Sequence, residues 1–446
     1  MKFLKLNLNY LALIILYFIL LKLNTSLLIG EILFINYNET LLISSFFLDY
    51  FKSFKFFNLV EIMIISIPFL FIRNKEFNFG SLFSYILYLL VFVPFITIFL
   101  DSSSNIIEIF FQHINLSSDY ISLEKKNYIL FIIILTINFC ILLYFSSNKG
   151  QISKEILSFN SKIPHQILLI NFFLFLCFLL FFVTSEYNQL YEINYRSKLK
   201  GLMGYYFYWN IICFLPVLFL INDKKILKYL ILLSYILAFV IFKIKILIVF
   251  FSILFLNKLI YYKIVKSKDL LKTLLNFIII ILIFSFLINF FSWIIFNLKD
   301  PIYFQRAFIS QPKNLLIYLD FFSNNEPTML SHIGIVNKFT QIDYNIYELI
   351  GNYFKGGNPT SNLYAVEGIA AFGMWGIFFS TFLMVFLSKV LSFFINEQNE
   401  KYLYLSLFFQ SFYMVNTPFF TNLLTYGIGI TVLLTFIKFK KKNEIF

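Results

Sequence analysis

NLYAVEGIAAFGMWGIFFSTFL, residues 362–383, follows a mostly polar stretch that begins at Asn297, and the two together organise the chain. Four of the nine prolines and seven of the fourteen glycines fall between residues 297 and 376. Both residue types serve turns and close backbone approaches. A membrane bundle tolerates irregular backbone only outside the lipid or along a cavity, so we expect the functional site in this region.

The remaining sequence is typical of a membrane protein. Of the 446 residues, 60% are hydrophobic and only 13% are charged. Apolar runs of about 17–25 residues, long enough to cross a bilayer, recur along the chain. We therefore predict an all-α polytopic transmembrane bundle of about 12 spans, forming a single integral membrane domain over residues 1–446. The predicted spans are 6–28, 57–72, 80–100, 127–145, 164–183, 204–221, 226–242, 246–262, 274–296, 363–388, 402–415 and 422–437.

Lysine and arginine set the predicted orientation, because they are enriched in short cytoplasmic loops. Both termini are predicted to be cytoplasmic, and segments 184–203 and 297–361 extracytoplasmic. Topology then explains most of the net charge of +13, and no nucleic-acid partner is indicated. Two alternatives stay open: residues 29–56 could re-enter the membrane, and residues 402–437 could form one long span. Pro418 favours a hairpin in the second case.

The large loop 297–361 is predicted to be partly helical and packed over the membrane. NLLIYLDFF, residues 314–322, and NIYELIGNYF, residues 345–354, have apolar residues near helical spacing. A helix-start signal precedes each of them, at Pro312 and at Asp343.

The sequence lacks the motifs of common soluble enzymes. It has no phosphate-binding loop, no dinucleotide fingerprint, no zinc-protease motif and no closely spaced acidic pair. Cys140, Cys177 and Cys213 lie in apolar runs without paired spacing, so neither a disulfide nor a zinc site is indicated. We expect no cofactor and no metal.

Two groups of cations lie near predicted membrane surfaces. Arg196 and Lys198 follow Tyr195 in an outer loop, where they could be interfacial anchors or hold an anion. Lys243 and Lys245 occupy a tight hairpin at membrane depth, where charges are usually functional unless they extend to the surface.

Three further residues stand out in the central region. Arg306 is the only arginine of the long loop, and its guanidinium suits a two-point grip on phosphate oxygens. His332 could be an ordinary surface residue or could transfer protons. Glu367 is an acid inside a predicted span, which makes it a candidate site residue.

The order of these features resembles the Wzy family of bacterial O-antigen and capsule repeat-unit polymerases. The resemblance covers the plan of the whole chain, with residue-level matches near 190–210 and 300–376. The matching residues are Arg306, Phe308, Pro312, Leu316, Tyr318, Phe321, Phe322, Asn358, Thr360, Tyr364, Glu367, Phe372, Gly373 and Gly376.

This resemblance implies a metal-independent glycosyltransferase of the bacterial inner membrane. Such an enzyme moves a growing glycan from undecaprenyl pyrophosphate onto a new lipid-linked repeat unit, outside the cytoplasm. Arg196 and Arg306 would hold the leaving pyrophosphate, and Glu367 or His332 would be the base. The candidate substrate-binding residues are Lys198, Lys243, Lys245, Tyr195, Tyr318 and Asn358. The implied partners are membrane lipid and the chain-length regulator and flippase of the same pathway.

Two other functions remain open. An O-antigen ligase would share the lipid donor and transfer the glycan to a lipid A core. A lipid-linked oligosaccharide flippase or other transporter would not be an enzyme. The absence of repeated halves in the sequence speaks against a transporter.

Overall fold

The computed structural model describes residues 10–24, 59–72, 78–99, 125–146, 165–185, 199, 201–244, 246–267, 269–296, 308–333, 336–337, 346–353, 361–395 and 397–435. All regular secondary structure in these ranges is helical. The chain groups into two compact units. Unit 1 comprises Met1–Lys75, Phe83–Asn148 and Asp269–Val385, and unit 2 comprises Glu76–Leu82, Lys149–Lys268 and Phe386–Phe446.

The helices follow the apolar runs of the sequence. The α-helices are Tyr10–Asn24, Leu59–Phe69, Phe79–Leu87, Val93–Phe99, Lys125–Ser146, His165–Ser185, Gly201–Trp209, Leu215–Ile221, Lys225–Phe242, Ile246–Phe255, Asn257–Ile260, Leu270–Phe296, Ser310–Asn324, Ile346–Tyr353, Gly376–Phe394, Glu397–Asn416, Phe419–Leu424 and Ile428–Thr435. Wider π-helical turns occupy Tyr88–Phe92, Asn210–Phe214, Tyr261–Val265 and Tyr364–Ala370.

Each of the twelve predicted spans overlaps a helix, and the all-α class is confirmed for the described residues. Among them, seven helices are long and apolar enough to cross a membrane, or eight if one bent pair is a single span. These helices indicate a multi-pass membrane protein.

Three predicted spans are wrong as continuous helices. The span 422–437 is interrupted between Leu424 and Ile428, where Gly427 takes a φ of 81°. The span 246–262 ends at Phe255, and the following segment Asn257–Val265 turns by 78°. The side-chain amide of Asn257 donates to the carbonyl of Leu254 at 2.7 Å, and this local bond competes with the helical ladder. The span 363–388 breaks at Gly373, which takes a φ of 66° that glycine adopts readily.

Both predicted hairpins are confirmed. The helix Lys225–Phe242 ends at Lys243, and the next helix begins three residues later at Ile246. Near the C-terminus, the helix Glu397–Asn416 ends before Pro418. The chain then returns, because the Gln410 amide donates to the Thr431 hydroxyl at 2.6 Å.

Two helices lie in the segment 297–361, which the sequence predicts to be a partly helical loop. Ser310–Asn324, called the loop helix below, and Ile346–Tyr353 both lie within 297–361. The loop helix packs closely on the π-helical Tyr364–Ala370, called the π segment below. Aromatic packing fixes the π segment in unit 1, since the ring of Tyr364 lies 5.2 Å from that of Phe139.

Candidate functional site

The π segment begins with a side-chain cap. The Asn362 side-chain oxygen accepts the backbone N–H groups of Tyr364 at 3.0 Å and Ala365 at 3.3 Å. All seven residues of the segment are buried, including Glu367, which is only 1% exposed. π-helical turns are rare and are frequent at functional sites. The predicted site acid therefore lies in an unusual stretch of backbone.

Two glycines allow the chain to fold tightly after the π segment. A Cβ atom added at Gly376 would lie 2.0 Å from the carbonyl oxygen of Gly368. A Cβ atom at Gly368 would lie 2.6 Å from the Ser380 hydroxyl. The Ser380 hydroxyl also donates to the Leu363 carbonyl at 3.0 Å. The small residues thus hold the π segment against the start of the next helix.

The loop helix places polar side chains in the interior of unit 1. Gln311, Asn314 and Tyr318 are all buried, and their spacing of three and four residues places them on one helical face. The Ser361 hydroxyl donates to the Gln311 side chain at 3.3 Å. Sequence reasoning missed Gln311 and Asn314, although their spacing relative to Tyr318 carried the signal.

Tyr318 joins this face to the π segment and to the second loop helix. Burial raises the pKa of Tyr318 well above its usual value, and the nearby charges of Tyr347 and Glu367 raise it further. The Tyr318 ring is fully buried. Its ring therefore has no open face toward a ligand, and its hydroxyl is the group that interacts electrostatically with Glu367.

A short turn, Thr328–His332, is bonded to the end of the π segment. The backbone N–H of Thr328 donates to the Ala370 carbonyl at 2.8 Å, and that of Met329 donates to the Ala371 carbonyl at 3.0 Å. Met329 and Leu330 have φ values of 48° and 66°. For residues with a Cβ atom, this left-handed conformation costs roughly 1–2 kcal/mol each. The turn is strained and is held by its bonds to the π segment.

The same turn holds His332 through its Nδ1 atom. The Thr328 hydroxyl lies 2.6 Å from His332 Nδ1 and donates to the Ala370 carbonyl at 3.0 Å. A hydroxyl has one proton to donate, and we assign it to the Ala370 carbonyl; on this assignment Nδ1 carries the imidazole proton and donates it to the threonine oxygen. In the neutral ring, Nε2 then holds a lone pair.

His332 Nε2 is buried and has no hydrogen-bond partner within the described ranges. Burial lowers the pKa of His332 to about 4, so the ring is neutral near pH 7. A neutral imidazole in the assigned tautomer has an unused lone pair on Nε2, which can accept a proton from a hydroxyl. Sequence reasoning missed Lys313, a half-buried lysine of the loop helix. Burial lowers the pKa of Lys313.

The predicted site residues are thus partly located. Glu367, His332 and Tyr318 all belong to unit 1, on elements that contact one another or are bonded together. Lys243 belongs to unit 2, where it is exposed at a hairpin tip with a φ of 52°. The remaining candidates lie outside the described residues: Arg196, Arg306, Lys198, Lys245, Tyr195 and Asn358.

Within the described ranges, no group of three or more histidine, cysteine or acidic residues is placed to hold a metal ion. No protein-family model matches the chain, and searches of curated proteins and of solved structures gave no match.

Proposed function

We propose that the protein polymerises undecaprenyl-pyrophosphate-linked oligosaccharide repeat units at the outer face of the bacterial cytoplasmic membrane. The observation that carries the proposal is the turn Thr328–His332, bonded to the π segment that contains Glu367. In the assigned tautomer it offers a neutral imidazole with a lone pair on the unpartnered Nε2, beside residues of the polymerase-like pattern. We also propose that the chain crosses the membrane about 12 times, with both termini cytoplasmic and loop 297–361 extracytoplasmic.

The proposed reaction is a direct displacement at the anomeric carbon of the donor glycan. The bond from that carbon to the pyrophosphate oxygen breaks, and a bond to the acceptor sugar oxygen forms. His332 Nε2 takes the proton of the attacking hydroxyl. Arg196 and Arg306 stabilise the charge that develops on the departing pyrophosphate. Glu367 is the second candidate for the base.

A lipid-linked substrate also needs a place for its tail. Unit 1 has an apolar groove of about 620 Å³ between the helices Leu59–Phe69 and Lys125–Ser146, and its walls include Ile67, Ile133 and Phe145. The helix Lys125–Ser146 that forms one wall also packs Phe139 against Tyr364 of the π segment. We assign the polyprenyl tail of the substrate to this groove.

Deletion of the gene, with inspection of the surface glycan, tests the proposal. A surface with one repeat unit per anchor supports the polymerase. Full-length polymer that accumulates on the lipid carrier indicates a ligase. Single lipid-linked repeat units trapped on the cytoplasmic side indicate a flippase, and either of the last two results overturns the proposal.

A further inference from the structure

A second feature belongs to unit 2 and is independent of the proposed reaction. The segment Asn257–Val265, called the turned segment here, leaves the helix Ile246–Phe255 at an angle of 78°. Its outward face exposes Leu259 by 57% and Tyr262 by 71%. Lys258, Lys263 and Lys266 are exposed on or directly after the same segment. The turned segment therefore presents both apolar and cationic groups outward.

The position of the turned segment follows from the helix hairpin before it. The hairpin has its tip at Lys243. Lys228, near the start of its first helix, interacts electrostatically with Lys258. The turned segment therefore lies at the base of the hairpin, at the level where the first helix begins. That helix has 18 residues, or about 27 Å at 1.5 Å per residue, close to the bilayer hydrocarbon thickness. The base of the hairpin then lies at one membrane surface.

The charge of the segment 221–267 is strongly positive. Six lysines that share the base of the hairpin form what we call the lysine collar: Lys224, Lys225, Lys228, Lys258, Lys263 and Lys266. Asp223 is the only acid in the sequence from 221 to 267. Exposed Tyr229 and Tyr262 lie among the lysines, as tyrosines do at membrane interfaces.

The turned segment is also held in place. The Tyr404 hydroxyl donates to the Asn257 carbonyl at 3.0 Å, and the Tyr404 ring lies 5.2 Å from that of Tyr261. Ile264 and Val265 are buried on the inner side. A fixed segment keeps its lysines at one depth, so they can engage a layer of charge rather than a single partner.

We propose that the lysine collar binds the headgroups of anionic phospholipids. A bilayer surface offers phosphate groups to the lysines and acyl chains to Leu259 and Tyr262 at the same depth. A soluble phosphate would satisfy only the cations. Each lysine near an anionic membrane surface contributes roughly a fivefold factor in affinity.

The test uses the purified full-length chain, incubated with equal amounts of phosphatidylglycerol and phosphatidylcholine and analysed by native mass spectrometry. We expect the wild-type protein to retain phosphatidylglycerol preferentially. The variant K258Q/K263Q/K266Q should reduce that preference at least tenfold, whereas K258R/K263R/K266R should keep it. Lys243→Asn, at the opposite end of the same hairpin, is the matched control and should also keep it, because asparagine tolerates a positive φ.

Three results would overturn the proposal: no lipid preference in the wild-type protein, an unchanged preference in the glutamine variant, or an equal reduction with Lys243→Asn. Displacement of bound phosphatidylglycerol by millimolar inorganic pyrophosphate, with retention unaffected by sodium chloride of equal ionic strength, would assign the collar to a soluble phosphate instead. None of these results depends on glycan polymerisation, so this experiment tests the lipid assignment independently of the proposed function.

Discussion

Two π-helical turns of this protein, one in each unit, bury polar groups in different ways. In unit 2, Cys213 lies on the turn Asn210–Phe214, and its thiol donates to the Gly427 carbonyl at 3.3 Å. The Gln410 amide donates to the same sulfur at 3.4 Å and to Thr431 at 2.6 Å. The buried atom that this cluster leaves without a hydrogen bond, among the described residues, is the Gln410 carbonyl oxygen.

In unit 1, the buried atoms at the π segment without a hydrogen bond, among the described residues, include His332 Nε2, the Tyr364 hydroxyl and Asn362 Nδ2. An amide oxygen does not exchange protons at ordinary pH, whereas an imidazole nitrogen does. Of the Gln410 oxygen and His332 Nε2, only the imidazole nitrogen can take up a proton during a reaction. We therefore interpret the Cys213 cluster as a support of helix packing and the His332 turn as a reaction centre.

The largest expected effect is the loss of the base. His332→Gln should lower the polymerisation rate by about 100- to 10,000-fold, because glutamine cannot take up the proton of the acceptor hydroxyl. Gln410→Leu should leave the rate per folded molecule close to that of the wild-type protein. Purified enzyme and lipid-linked repeat units give both rates. Similar losses of rate in His332→Gln and Gln410→Leu would contradict the interpretation that only the His332 turn takes part in the reaction.

The two predicted arginines should have the next largest effect. Arg196→Ala or Arg306→Ala should each slow polymerisation about 100- to 1,000-fold, because charge on the leaving pyrophosphate loses stabilisation of about 3–4 kcal/mol. Arg→Lys should remain impaired, since an ammonium lacks the planar two-point contact. The measurement is glycan chain length at matched membrane levels. Ladders of normal length in both alanine variants would remove the pyrophosphate role.

Thr328 should have a moderate effect through His332. Thr328→Val removes the oxygen that accepts the Nδ1 proton, a hydrogen bond of about 1.4 kcal/mol, so we expect a roughly tenfold slower rate. Thr328→Ser keeps the hydroxyl and should therefore keep the wild-type rate. Nitrogen-15 NMR of His332 in an H113Q/H165Q background reports the tautomer directly. An unchanged tautomer in the valine variant would refute the positioning role, whatever the rate.

The Cys213 cluster should affect stability instead. Thr431→Val leaves the Gln410 amide with a poorer set of partners, and we expect the free energy of unfolding to fall by about 1–3 kcal/mol. Equilibrium unfolding in detergent micelles measures this change. His332→Gln serves as the comparison and should lower the free energy of unfolding by no more than about 1.4 kcal/mol, the value of its one hydrogen bond to Thr328. The reverse order of the two variants would contradict the assignment of roles.

The smallest expected effect is on the pH profile. With a pKa of about 4 rather than 6.5, His332 stays neutral as the pH falls from 7 to about 5, so its contribution to the rate should stay flat. The unfolded chain binds the proton first, so stability contributed by His332 is complete above about pH 6.5 and falls as pH drops toward about 4. Initial rates across this range check the prediction, and a half-maximal rate near pH 6.5 that disappears in His332→Gln would contradict it.

The sequence predicted the helices well because apolar length is a local property. It also located the break at Pro418 and the turn at Lys243, since proline and a short polar link are local signals. It did not predict the bend after Phe255. At the bend, the Asn257 side chain bonds to the Leu254 carbonyl instead of to solvent, and the sequence does not show which of the two partners it takes.

The site was predicted only in outline. Glu367 stood out as an acid in an apolar span, and His332 as one of three histidines. The contact on which the assigned tautomer of His332 rests joins Thr328 to Ala370, forty-two residues apart. No local pattern indicates such a pairing. The sequence does not predict the π-helical geometry around Glu367 either, because that geometry accompanies the close approach of Gly368 and Gly376 in the folded chain.

The left-handed pair Met329 and Leu330 suggests a trade-off between robustness and turnover. Glycine at either position would relieve the torsional penalty, and such a replacement is an ordinary route to a more heat-resistant protein. Here the relieved turn would hold His332 less firmly. Leu330→Gly would suit structural work that needs a more heat-resistant protein. The unchanged pair Met329 and Leu330 would suit work that needs the full catalytic rate.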